Sequence, residues 1–203
     1  RTFMTLDHMT GGRAGWNVVT SLNDSEAFNM GAAGTIAHDR RYDRADELMK
    51  TVIDMWGAWD ADAIKLDKSE GVFADPDKVR RTEYSGEWFD TKGTFTVPQS
   101  PQGHPVVIQA GQSGRGRQFA IEWGEVIFTI LTSIEQGKQV RSEMRADAER
   151  LGRDPDTITI APAVYVTVGE TQSIAEDKYA YIDSLAKPID GLALLSEALN
   201  FDF

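Results

Sequence analysis

Residues 104–131 read HPVVIQAGQSGRGRQFAIEWGEVIFTIL. His104 to Ala110 is rich in branched side chains, the composition of a buried parallel strand. Ser113 to Trp123 follows with helical spacing of its apolar residues and is closed by Gly124. Val126 to Leu131 is apolar and branched again. Strand, helix and strand in immediate succession form a right-handed crossover, which calls for a parallel sheet.

The alternation continues on both sides. Ser133 with Gln136 makes a capping box for a helix whose inner stripe is Val140, Met144, Ala148 and Leu151, ended by Gly152. Thr157 to Val168 reads as a strand. Thr171 to Leu185 reads as a helix with Ile174, Lys178, Tyr179, Ile182 and Leu185 on one side. Upstream, Arg1 to Arg13 is a helix end with a Gly11-Gly12 turn, and Ala14 to Thr20 a short strand. The strongest helix signal spans Arg40 to Trp59. Asp39 is its expected N-cap, and Tyr42, Ala45, Leu48, Met49, Val52, Met55, Trp56 and Trp59 recur at spacings of three and four. Residues 60–103 exceed an ordinary connection and read as an insertion holding a small β-hairpin, with strands near Thr82–Ser85, Glu87–Asp90 and Thr94–Val97. A doubly wound sheet and part of a (β/α)8 barrel both accommodate this order. Four strand–helix units favour the central part of a barrel lacking its first and last units, since a whole one takes eight strands and ~250 residues. The chain starts at Arg1 and runs at once into Phe3, Met4 and Leu6, which reads as a start in the middle of something.

Of 203 residues, 32 are Asp or Glu and 21 are Lys or Arg, a net charge of −11. That argues against nucleic-acid or anionic-membrane partners but leaves room for one anion in a local pocket. No apolar run reaches the ~18 residues of a transmembrane helix. The absence of cysteine excludes disulfides, thiolate catalysis and zinc–thiolate sites, and fits a reducing cytoplasm. With His8, His38 and His104 alone, a multi-histidine metal centre is not expected.

Three local patterns carry chemistry. Gln109-Ala110-Gly111-Gln112-Ser113-Gly114-Arg115-Gly116 joins a strand to a helix. Glycines let backbone amides approach an anion, the helix N-terminus adds partial positive charge, and Ser113 supplies a hydroxyl. The same spacing also suits a plain Gly-rich turn with a Ser cap. His38 and Tyr42 stand four apart at a helix start and can address one ligand; alternatively Tyr42 begins the core stripe and His38 is a surface residue. Asn17 and Ser21 share a face near the carboxyl end of a strand, where barrel enzymes keep their sites, although neighbouring backbone could satisfy the Asn.

At Thr5–Ser21 (TLDHMTGGRAGWNVVTS), His38–Glu47 (HDRRYDRADE), Ser69–Val79 (SEGVFADPDKV) and Ser100–Arg117 (SPQGHPVVIQAGQSGRGR) the chain resembles the two-component, reduced-flavin-dependent monooxygenases of the bacterial luciferase superfamily. The branch it resembles contains nitrilotriacetate, EDTA, dibenzothiophene-sulfone and long-chain alkane monooxygenases. The resemblance implies a (β/α)8 TIM barrel with FMN at the carboxyl ends of its strands. It implies reduced FMN delivered by a separate NAD(P)H:flavin reductase, and oxidation of a small organic substrate with O2 through a C4a-(hydro)peroxyflavin. By family pattern Asn17 contacts the flavin's polar edge, His38 and Tyr42 the ribityl–phosphate region, and Gln112, Ser113 and the Gly114 amide the phosphate. A dimer or tetramer in the cytoplasm is implied as well. Family members run to about twice this length, so the segment alone is expected to be inactive and the full protein an oxygenase. A flavin- or deazaflavin-dependent dehydrogenase on the same barrel and a non-catalytic flavin-binding protein are the rival readings.

Overall fold

The computed structural model describes residues 1–21, 23–112, 114–199, 201 and 203. It divides into two compact units, Arg1–Thr20 with His38–Pro162, and Ser21–Ala37 with Ala163–Phe203.

The larger unit opens with α1 (Thr2–Thr10), closed by Gly11 in the left-handed region at φ 64°, where a side chain would be strained. Then come β1 (Gly15–Asn17) and, after a segment in the smaller unit that carries α2 (Asp24–Asn29), the long helix α3 (His38–Trp56). Two antiparallel hairpins follow, β2 (Ile64–Asp67) with β3 (Val72–Ala74), and β4 (Thr82–Ser85) with β5 (Asp90–Gly93). Regular alternation resumes with β6 (Val106–Gln109), α4 (Gly114–Trp123), β7 (Val126–Thr129), α5 (Ile134–Arg150) and β8 (Thr159–Pro162). The smaller unit closes the chain with α6 (Gln172–Ser184) and α7 (Pro188–Leu199).

β1, β6, β7 and β8 form one parallel sheet in that order. This is an α/β fold in which every sheet strand is followed by a helix. One face of the sheet carries Val107 and Ile127 against the helices. There Tyr42, Ala45, Met49 and Trp56 of α3 meet Phe119 of α4, and Met144 and Ala148 of α5 meet Ala120 and Ile121. These are the apolar stripes that helical spacing marks. The alternate residues Gly15, Asn17, Ile108 and Phe128 lie on the other face. No helix among the described residues is long and apolar enough to cross a membrane.

Several boundaries differ from the sequence-based expectation. α3 starts at His38, before the expected cap, and Asp39 lies inside its first turn, where a negative charge suits the helix dipole. It stops at Trp56; Trp59 instead bridges Val79, and its indole donates to the Phe95 carbonyl at 2.6 Å. Strand β5 pairs with β4 three residues later than expected. The reason is Glu47 of α3, buried beneath the tip, whose carboxylate accepts from the amides of Glu87 (3.1 Å), Trp88 (3.0 Å) and Phe89 (2.8 Å). Residues engaged in this way form a turn and cannot ladder. The capping box at α5 is half made: the Ser133 hydroxyl accepts from the Gln136 amide at 3.1 Å, but the Gln136 carbonyl oxygen accepts from Thr132. β1 and β8 are shorter than expected, and α2 and α7 carry no clear sequence signal. The apolar residues of α6 and its C-cap are exposed, with Tyr179 and Leu185 each 56% accessible.

Candidate functional site

The carboxyl end of β6 runs into the loop Ala110-Gly111-Gln112 and then α4. The loop folds back on the helix it starts. A Cβ on Gly111 would lie 2.5 Å from the Gly116 carbonyl oxygen, so only glycine fits. In front of Gly114, by contrast, no atom of the described residues stands within 4 Å of a Cβ position. Gln112 and Gly114 are both exposed. The start of α4 thus faces open space, with the first-turn amides and the helix dipole directed there. Ser113 lies outside the described residues.

α3 brings its first turns to the same helix. Tyr42 is buried, its ring 5.5 Å from Phe119 of α4 and 5.1 Å from the His38 ring, edge to face. The Arg115 guanidinium stands 5.8 Å from the Tyr42 ring centre. Arg115 is bound by the carboxylate of Asp46 and, at 3.3 Å, by that of Asp43. Asp46 also accepts from the Trp123 indole at 2.7 Å. Burial opposes the charge on Arg115, but these two carboxylates outweigh it and hold the guanidinium above its ordinary pKa. His38 Nδ1 lies 2.7 Å from Asp39 Oδ1, which accepts, so Nδ1 carries the proton.

Asn17 ends β1 on the sheet face turned from the helices and is exposed. Its strand is tied to β6 by the Val18 amide donating to the Ile108 carbonyl at 3.0 Å. The expectation that Ser21 shares this face is not met. The strand ends at Asn17, and Ser21 adopts φ 60°, a left-handed backbone within the smaller unit. Gln109 was not among the candidate residues. It is 3% exposed, its Nε2 donates to the Val18 carbonyl at 2.7 Å, and its Oε1 accepts from the Gly111 amide. Its sequence signals are a polar residue ending a branched apolar run and its place at the head of the glycine-rich stretch.

The site therefore joins a parallel-strand end, a glycine-lined turn, a helix N-terminus and a histidine–tyrosine pair. That combination defines an α/β protein with an open helix N-terminus beside the carboxyl ends of its strands. Residues 1–200 match the family profile of the luciferase-like monooxygenases, and the chain belongs to that family. It is 47% identical over 97% of its length to dibenzothiophene-sulfone monooxygenase of Rhodococcus erythropolis, covering 43% of that protein. It is 42% identical over its whole length to dimethyl-sulfide monooxygenase of Hyphomicrobium sulfonivorans, covering 42% of it. Among solved structures it superposes on a riboflavin lyase with modified FMN and riboflavin at a TM-score of 0.92, with 37% identity over 98% of this chain and 45% of that one. The chain thus spans less than half the length of these relatives.

Proposed function

We propose that the protein carrying this chain is the oxygenase component of a two-component flavin-dependent monooxygenase, taking reduced FMN from a separate NAD(P)H:flavin reductase and using O2 to oxidise a small organic substrate. The carrying observation is the pairing of a closed Gly111 with an open Gly114 at the start of α4. It leaves the backbone amides there open to an anion in a chain whose net charge is −11.

The residues present fit FMN. Gln112, Ser113 and the Gly114 amide would hold the phosphate, His38 and Tyr42 the ribityl–phosphate region, and Asn17 the polar edge of the ring. Bound reduced FMN supplies the electrons that activate O2. The chain's own part is to bind and orient. The buried Tyr42 ring packs between Phe119 and His38, which orients it. The Asp39 carboxylate, by accepting from Nδ1, orients the His38 ring.

The names of the relatives at 47% and 42% identity place sulfur in their substrates, so organosulfur compounds head the assay panel. The full-length protein is supplied with FMN, NADH, a flavin reductase and O2, and substrate loss is followed alongside peroxide release. Coupled substrate loss is expected. Tight FMN binding without loss of any organic substrate supports a binding module instead, and oxidation of an alcohol without O2 supports a dehydrogenase. FMN affinity left unchanged by Tyr42→Phe and Gly114→Ala overturns the site.

A further inference from the structure

We infer that Gln109 is a positioning residue of this site. Its buried carboxamide clamps the end of β1 to the β6–α4 loop, so that Asn17 on one side and Gln112 and Gly114 on the other keep a fixed spacing.

Gln109 occupies a position where a parallel strand ordinarily places a branched apolar residue. It sits in the helix-facing row of the sheet, in register with Ile127 and, beyond it, Ile160. A carboxamide there is costly unless both of its ends are paired. Both are: Nε2 donates to the Val18 carbonyl at 2.7 Å and Oε1 accepts from the Gly111 amide. The two partners belong to different segments, both at the carboxyl end of the sheet. The ladder between β1 and β6 ends with the Val18 amide on Ile108, so the Gln109 side chain extends it by one bond, to the carbonyl of the same Val18. On the other side it reaches Gly111, the residue with no room for a Cβ. Gly124 lies against the Gln109 side chain, since a Cβ built on Gly124 would lie 3.4 Å from the Gln109 Cβ.

The side chains nearest to it in size and shape do not do this in both directions at neutral pH. Asn is one methylene short, Met has neither donor nor acceptor of comparable strength, and an ionised Glu cannot donate to Val18. A neutral carboxylic acid can: its O–H replaces the amide N–H and its C=O still accepts. Gln109→Glu therefore carries its own rescue. The ligand in question rests on the FMN reading above; the clamp itself does not.

Two readouts on the full chain test the inference. The first is backbone amide exchange without flavin. In Gln109→Met, exchange at 17–20 and 110–112 is expected to rise together, about tenfold or more, with 126–129 unchanged. In Gln109→Glu, exchange at 17–20 is expected to match wild type at low pH and to exceed it increasingly as the introduced carboxyl ionises. The range of about pH 5 to about pH 9 brackets where a buried carboxyl titrates. The second readout is FMN affinity by quenching of flavin fluorescence. Gln109→Met is expected to weaken it about tenfold, and Gln109→Glu to weaken it with rising pH relative to wild type. If Gln109→Met fails to fold, Gln109→Glu compared with wild type across its carboxyl titration carries the test. Exchange unchanged in both segments overturns the clamp. Loosened segments with wild-type FMN affinity overturn the positioning role. A wild-type chain that binds no FMN overturns the cofactor reading, and the exchange data still decide the clamp.

Discussion

Gly111 and Gly114 stand three residues apart and answer substitution in opposite ways. Gly111→Ala drives a methyl into the Gly116 carbonyl, so a stability loss of about 1–3 kcal/mol is expected, read as a lower melting temperature. Gly114→Ala meets no atom of the described residues within 4 Å, and alanine is the better helix former, so stability is expected to hold or rise by up to about 1 kcal/mol. The same methyl enters the space assigned to phosphate, and FMN affinity is expected to fall about tenfold, or ~1.4 kcal/mol, by isothermal titration. Asp7 shows a different kind of residue effect. It is fully buried, and its Oδ1 accepts from the Ala14 amide at 3.0 Å and the Gln102 carboxamide at 2.6 Å. Burial alone would raise its pKa, but the hydrogen bonds outweigh that and hold it below the usual carboxylate value. A depressed folded pKa stabilises above the unfolded pKa of about 3.9, and the contribution fades as pH falls through the lower folded value. Asp7→Asn is expected to cost about 1.5–3 kcal/mol at neutral pH. The gap to wild type should close as unfolding is measured at pH below about 4. Neither Asp7 nor Gln109 is legible in sequence, because each draws its role from partners that only the fold brings near.

Elements that announce themselves locally came through well. The hydroxyl cap at Ser133, and the three-and-four spacing on α3 and α5, are short-range features, and these helices form there, α3 with its ends shifted by a few residues. The β4–β5 pairing failed for the opposite reason. Its register depends on Glu47, about forty residues away in the chain, whose carboxylate gathers three turn amides. The Arg40 guanidinium adds to this docking, 4.5 Å from the Trp88 ring and paired with Glu87. Glu47→Gln puts an amide donor where an acceptor is needed and leaves backbone N–H groups unpaired. Detachment of the tip is expected, with a stability loss of about 1.5–3 kcal/mol. Limited proteolysis or amide exchange confined to 86–89 reads it, and unchanged protection there would mean that the aromatic–arginine contacts suffice.

For the whole molecule, composition and site point in different directions. A net charge of −11 repels a phosphate at long range, while the start of α4 attracts one over a few ångströms. Salt screens the first effect more than the second, since the Debye length is ~10 Å at 0.1 M. FMN affinity is therefore expected to change by less than about threefold between ~0.05 and ~0.5 M salt, unlike binding to a basic surface, which weakens steeply. A large loss over that range, by fluorescence titration, would point to lysine and arginine side chains as the principal holders. The arrangement of Arg115 bears on time as well as on strength. It is the cation beside Tyr42, yet Asp43 and Asp46 already occupy it, so it brings no surplus charge to an incoming anion. Under the FMN reading proposed above, amides and hydroxyls, with the guanidinium beside Tyr42 already engaged, would hold their guest briefly. Short residence would suit an enzyme that receives a fresh, reduced visitor and dismisses the oxidised one at every turnover.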